Sequence, residues 1–178
     1  MTISDETRLW RKSGFAADEW RLLQADEAVV AEDKVILPAD RLDEVVAEAR
    51  LTPMGALLGA GEPVDLLVPH LAGLELVALD FPAFTDGRSF SKAQILRSRH
   101  GFSGEIRAVG DVLIDQIPLM LRCGFDSFLV RNKPTIAALE RGALPGVDLF
   151  YQPGQGAEAA VAGRSWARRP AIREASSR

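Results

Sequence analysis

Apolar residues recur along this chain in two rhythms. From residue 64 onward they form short unbroken runs: VDLLV (64–68), LELVALDF (74–81), EIRAVG (105–110), DSFLV (126–130) and VDLFY (147–151). Runs of this length without polar alternation read as strands buried on both faces, as in a parallel sheet. Before residue 38 the rhythm is choppier. RLW, EWRLL and VILP, with polar turns between them, predict short antiparallel strands over 8–37, with Trp10, Phe15 and Trp20 covering one end of the core.

Helix signals fill the gaps. Asp40 is placed to cap a helix with Leu42, Val45, Val46 and Ala49 on one face. Between the later runs three more helices are predicted, the first over 91–100, where Ser91 and Gln94 make a capping box and Gly101 is the stop. A second helix is predicted over 115–123, with Asp115 as N-cap, 111–114 as a lead-in turn, Pro118 in the first turn and Gly124 as the stop. The third runs over 134–141, from Pro134 to a stop at Gly142. The stretch 53–63 reads as a connection. PHLAG is too short for a crossover helix, so either VDLLV is not a parallel strand or its link to LELVALDF is one tight turn.

Repeated strand and helix argue for an α/β fold with right-handed crossovers. The expectation is a mostly parallel sheet of four or five strands, open and Rossmann-like or half-barrel-like, with the small antiparallel element at its start. One domain over 1–152 is predicted, followed by a tail over 153–178. That tail holds five arginines against two glutamates, a charge of +3, which leaves −7 on the rest of a chain whose net charge is −4. It reads as a solvated, disordered end, although a basic tail can also meet an acidic partner. The start MTISDETRLWRKSG lacks the apolar segment of a secretory signal, and no apolar run approaches membrane length. A cytoplasmic location is therefore expected. Cys123 is the single cysteine and reads as a buried spectator thiol. His70 and His100 have no ligand partner beside them in sequence.

Parallel α/β sheets gather chemistry at the carboxyl ends of their strands. After LELVAL come Asp80 and then Thr85, Asp86, Gly87, Arg88, Ser89 and Ser91. Gly110, Asp111, Asp115 and Gln116 follow EIRAV; Arg131, Asn132 and Lys133 follow DSFLV; Gln152 follows VDLFY. Within TDGRS, a tight turn with positive φ at Gly87 would feed a helix N-terminus, where Arg88 adds a planar fork suited to a carboxylate, sulfate or phosphate. The alternative is an ordinary turn, in which Asp86 caps, the serines cap and Arg88 pairs with Asp80 or Asp111. Asp80, Asp111 and Asp115 could serve as acid/base groups or hold magnesium, or could simply cap turns. No dinucleotide or P-loop fingerprint is present, so no cofactor is evident. The scattered arginines Arg97, Arg99, Arg107 and Arg122 read as solvent-facing or ion-paired and do not predict nucleic-acid binding.

The pieces FPAFTDGRSFS, LRSRHGFSGEIRAVGDV, DQ and RCGFDSF, all within 80–131, with a weaker GFAADEW near the start, resemble a bacterial conserved family of undetermined function. Its members are often labelled oxidoreductases associated with phosphoadenylylsulfate reductase or sulfite reductase. The resemblance spans 8–152 and leaves out the tail, and Pro118 departs from the larger apolar residue expected there. It implies a link with assimilatory sulfate reduction and implies no mechanism. Two readings follow: an accessory protein docking on sulfite reductase or another sulfate-assimilation enzyme with a small-anion loop, or a small α/β enzyme acting on an anionic metabolite. Neither involves nucleic acid or membrane.

Overall fold

The computed structural model describes residues 7–23, 34–43 and 53–146. Eight strands form one sheet: β1 (Arg8–Arg11), β2 (Gly14–Ala16), β3 (Trp20–Leu22), β4 (Lys34–Pro38), β5 (Met54–Leu58), β6 (Leu74–Phe81), β7 (Glu105–Gly110) and β8 (Ser127–Val130). Three α-helices are described: α1 (Arg88–Ser98), α2 (Ile117–Cys123) and α3 (Lys133–Glu140). The strand order is β2-β1-β8-β7-β6-β5-β4-β3. From β3 to β8 neighbours are parallel and follow chain order, whereas β1 pairs antiparallel with both β8 and β2.

That order dictates curvature. β2 and β3 are the two edges of the sheet, yet only residues 17–19 join them. Laid flat, eight strands at about 4.8 Å spacing would separate the edges by roughly 34 Å. The link can reach at most about 14 Å between the strand ends. The sheet therefore curls into a half-barrel, and the 17–19 link crosses its concave side.

Alternation along each strand separates two faces. Val77, Leu79 and Phe81 of β6, Ile106 and Ala108 of β7, and Phe128 and Val130 of β8 face the helices, where they join Ala93, Leu96, Ile117, Met120 and Leu139 in the main core. Phe81 anchors this layer, with Phe90 edge-on at 5.2 Å and Phe125 at 5.8 Å between ring centroids. The other face carries a smaller apolar cluster of Ile36, Leu76 and Ala78, edged by Trp20, Leu22, Leu57 and Val109.

Several expectations are corrected. Among the described residues the strands number eight, more than the expected four or five, and the sheet is mixed, with five parallel and two antiparallel pairings. Only β1 and β2 of the early strands are antiparallel, because β3 and β4 join the parallel series. Trp20 does not cover the core with Trp10 and Phe15; it stands on the concave face. The stretch 53–63 contains the central strand β5, hidden by its small residues. At Gly55 a Cβ would lie 3.1 Å from Ile36 and 3.2 Å from Leu76, so close packing accounts for the glycine. VDLLV is not a strand: 3₁₀ turns occupy Val64–Leu66 and Val68–Gly73, with Leu67 buried and Leu66 and Val68 exposed. Pro69 cannot donate to a ladder, which disfavours strand pairing there.

The helix starts also move. α1 begins at Arg88 with Gly87 in the N-cap position and no side-chain cap. The predicted capping box is not formed: Ser91 Oγ donates to Arg88 O, and Gln94 Nε2 donates to Cys123 Sγ. α2 begins at Ile117, so Asp115 is not its N-cap; Gln116 takes that position, again without a side-chain cap. Gly101, Gly124 and Gly142 do stop the three helices with positive φ. Asp40 lies in a 3₁₀ turn, Ala39–Arg41, and does not cap it. The rest of the helix predicted there, the run VDLFY, Gln152 and the tail lie outside the described residues. None of the described helices is long and apolar enough to cross a membrane.

Candidate functional site

The amino ends of the parallel strands are closed by charge. Arg107 projects from β7 onto the concave face and is fully buried. Its Nη1 donates to both oxygens of Asp18, at 2.8 and 3.0 Å, from the link that crosses the half-barrel. Its Nε and Nη2 donate to Glu105 Oε1 at 3.0 and 2.9 Å, and Ser127 Oγ donates to the same oxygen at 2.5 Å. Arg11 holds the other Glu105 oxygen at 2.6 Å. Burial pushes the Glu105 carboxyl up, but Ser127, Arg107 and Arg11 outweigh it and hold the group below its ordinary value. Of the two readings of Arg107, solvent-facing or ion-paired, the second holds, and the pair is buried. A charged residue in the middle of EIRAVG was the available signal, since an isolated buried charge must find partners.

Above this floor lies a cavity of about 180 Å³. Trp20, Leu22, Ile36, Leu57, Val109 and Leu129 supply its apolar walls. Asp80 and Arg131, from the carboxyl ends of β6 and β8, stand at its mouth. Burial raises the Asp80 carboxyl, against the Phe81 backbone N–H and then the Arg131 charge, which both lower it. Among the described residues no hydrogen bond or ion pair joins Asp80 to Arg131. Gly110 makes this arrangement possible. Its φ is +91°, and a Cβ there would fall 2.4 Å from Phe81 O and 2.7 Å from Asp80 Oδ1.

The helix-side rim is the loop between β6 and α1. Asp111 Oδ2 accepts from Phe84 N at 3.1 Å, and Gln116 Nε2 donates to Phe84 O at 2.8 Å. Both backbone groups of Phe84 are thus held from the β7–α2 segment, while the residue is 53% exposed. Asp111 N donates to Phe81 O at 2.7 Å, which ties the two segments again. Leu119, also exposed, lies one helical turn beyond Gln116. Ser89 Oγ donates to Asp80 O, and Lys92 Nζ donates to Gly59 O and Ala60 O, so these two buried residues fasten α1 to the sheet.

Arg88 pairs with neither Asp80 nor Asp111. Its Nε and Nη2 grip Asp86, and its backbone N–H donates to Asp86 Oδ1 at 3.2 Å. These bonds hold the Asp86 carboxyl down to about 2. Gly87 has φ −88°, so the expected positive-φ turn is absent and residue 87 needs no glycine on that ground. Thr85, Ser91 and Asp115 are exposed. The structure therefore gathers Asp111, Gln116 and the loop into one framework, and sends Asp80 to the other side of the sheet. Sequence reasoning missed the floor and walls of the cavity, because Trp20, Leu57 and Arg107 are far apart in the chain and meet only through the curl. Asn132 is spoken for: it caps α3 by accepting from Thr135 N and Oγ1. Burial pushes the Cys123 thiol up, away from the thiolate form. Among the described residues no group of three or more His, Cys, Asp and Glu is placed to hold a metal ion.

The family model of a bacterial protein of unknown function (DUF934) matches residues 55–162, more than half of the 178 residues. The chain belongs to this family. The match takes in β5 to β8 and the three described helices, and so includes the cavity mouth and the clamped loop but not Asp18 or Trp20. Comparison with curated proteins finds no relative.

Proposed function

We propose that this DUF934 protein is a cytoplasmic accessory protein of assimilatory sulfate and sulfite reduction, and that it docks on sulfite reductase through the loop between β6 and α1. The observation that carries docking is the clamped Phe84. Two half-buried polar side chains, Asp111 and Gln116, fix the backbone of an exposed aromatic residue. A fixed exposed aromatic with an arginine on its rim is the anatomy of an interface anchor, because little entropy is lost on binding. Leu119 extends the apolar centre, and Arg88 can exchange Asp86 for a carboxylate or small anion brought by the partner. The resemblance carried by FPAFTDGRSFS and LRSRHGFSGEIRAVGDV supports the pathway. Affinity purification of tagged protein from sulfate-grown cells tests the reading. Sulfite reductase should co-purify with the wild-type chain and be lost with Phe84→Ala. Recovery of no sulfate-assimilation enzyme, with normal sulfite reductase activity in a deletion strain, would refute it.

A second reading, a small α/β enzyme acting on an anionic sulfur- or phosphate-containing metabolite, draws on Asp80. A carboxyl raised by burial beside a cavity is a usable acid or base. Thermal-shift measurements with sulfate, sulfite, phosphate and adenosine phosphosulfates examine it. A ligand at 100 times its Kd should stabilise the fold by about 2.7 kcal/mol, and flat responses would count against catalysis on these anions.

A further inference from the structure

The concave cavity is separate from the docking loop and has features that the docking reading leaves unused. We propose that it is a binding site for a small α-amino acid with an apolar side chain, the carboxylate meeting Arg131, the ammonium meeting Asp80 and the side chain entering the half-barrel.

The argument begins with the walls. Trp20, Leu22, Ile36, Leu57 and Val109 come from four different strands and offer no hydrogen bond to a guest along their side-chain surfaces, apart from the indole N–H. The floor is polar, but its groups are already bonded: Arg107 donates to Asp18, Glu105 and Ser127. A guest reaching down therefore meets apolar surface. A dry cavity of about 150 Å³ admits a benzene-sized guest, so the 180 Å³ here takes a branched, thioether or small aromatic side chain.

The mouth decides the head group. Asp80 and Arg131 lie on strands separated by β7, close enough for Arg131 to lower the Asp80 carboxyl, with no bond between them. A simple carboxylate would satisfy Arg131 and face the Asp80 charge. A simple amine would satisfy Asp80 and face Arg131. A zwitterion answers both, and its two charges are held on one carbon, a spacing suited to bridging two separated opposite charges. Gly110 keeps a side chain out of the space beside Asp80 Oδ1.

Titration calorimetry of the full chain tests this, with leucine, methionine and phenylalanine as zwitterionic probes and isocaproate and isoamylamine as leucine analogues lacking one charge. At least one amino acid should bind, and each single-charge analogue should bind at least about tenfold more weakly than leucine. Arg131→Gln should weaken the amino acid about tenfold or more and leave isoamylamine no weaker; Asp80→Asn should weaken the amino acid and leave isocaproate no weaker. Both variants should melt as cooperatively as the wild type, since Asp80 is held only by the Phe81 backbone N–H, which the Asn amide oxygen can still meet, and Arg131 is exposed. No heat with any amino acid, or isocaproate or isoamylamine binding as tightly as leucine, would overturn the proposal. Phe84→Ala should leave the titration unchanged, so failure of the docking reading and failure of this one are distinguishable.

Discussion

At the amino ends of the parallel strands Arg107 is bonded by Asp18, Glu105 and Ser127, whereas at the carboxyl ends Asp80 and Arg131 sense each other's charge with no bond between them. Phe84 and Leu119 stand exposed beside this open end. One end uses its chemistry to hold the curl of the sheet. The other holds its backbone rigid and leaves side chains available. The carboxyl edge is thus the end with side chains free to meet a ligand or partner, and the floor is framework.

The contrast breaks most visibly if the floor is removed. Arg107→Met should cost about 3–5 kcal/mol, because Glu105 and Asp18 lose their buried partner. Urea unfolding measures it, and a cost under about 1 kcal/mol would mean that the floor is not the frame. The pH dependence has a defined sign. Glu105 has a lowered carboxyl in the fold, so its stabilisation is present above the ordinary value of 4.5 and is lost as pH falls through the lowered one. The acid limb of stability should therefore be shallower in Arg107→Met.

Gly110→Ala should come next, at about 1–3 kcal/mol for a non-glycine residue at positive φ, with the Cβ also pressed against Phe81 O. Thermal melting reads this loss. A neutral result would show that the two carboxyl-end segments are loosely joined. Asp111→Ala should cost about 0.5–1.5 kcal/mol through the lost bond to Phe84 N. It should also speed amide exchange at Phe84, whereas unchanged exchange would show that the clamp does not set the loop.

The smallest effect is opposite in sign. Asp80 has a raised carboxyl, so the folded state binds its proton more tightly and the charged form costs stability as pH rises through the raised value. Asp80→Asn should raise the melting temperature at neutral pH, by no more than about 4 °C for a chain of this size. The gain should vanish below the ordinary value of 3.8. A lowered melting temperature at neutral pH would place Asp80 in the framework after all.

What the chain disclosed in advance follows this division. β6, β7 and β8 were legible because strands buried on both faces need continuous apolar runs. The helix stops were legible because Gly101, Gly124 and Gly142 sit where positive φ is needed. β5 was not, since MGALL lacks the β-branched residues that mark strands, and its glycine answers a packing demand made by β4 and β6. The start of α1 was misplaced because Ser91 and Gln94 fit a capping box by spacing while their side chains bond elsewhere. For the site, Asp80, Asp111 and Gln116 were named from strand ends alone. Their separation onto opposite sides of the sheet depends on the parity of residues along β6 and on the β7–α2 turn. The cavity depends on the curl, and so on the shortness of the 17–19 link between edges that only pairing reveals. Within the motif LRSRHGFSGEIR, Arg97 donates to Gly124 O, Phe102 O and Gly104 O and pairs with Asp126, a framework role that the run of letters does not display.

The most direct test of the account is complementation of a deletion strain on sulfate as sole sulfur source, comparing the wild-type chain with Phe84→Ala at matched expression. Phe84 is exposed, so the variant should melt with the wild type and accumulate equally. The account predicts that Phe84→Ala fails to restore growth and sulfite reductase activity while the wild-type chain restores both. Full restoration by Phe84→Ala would contradict it.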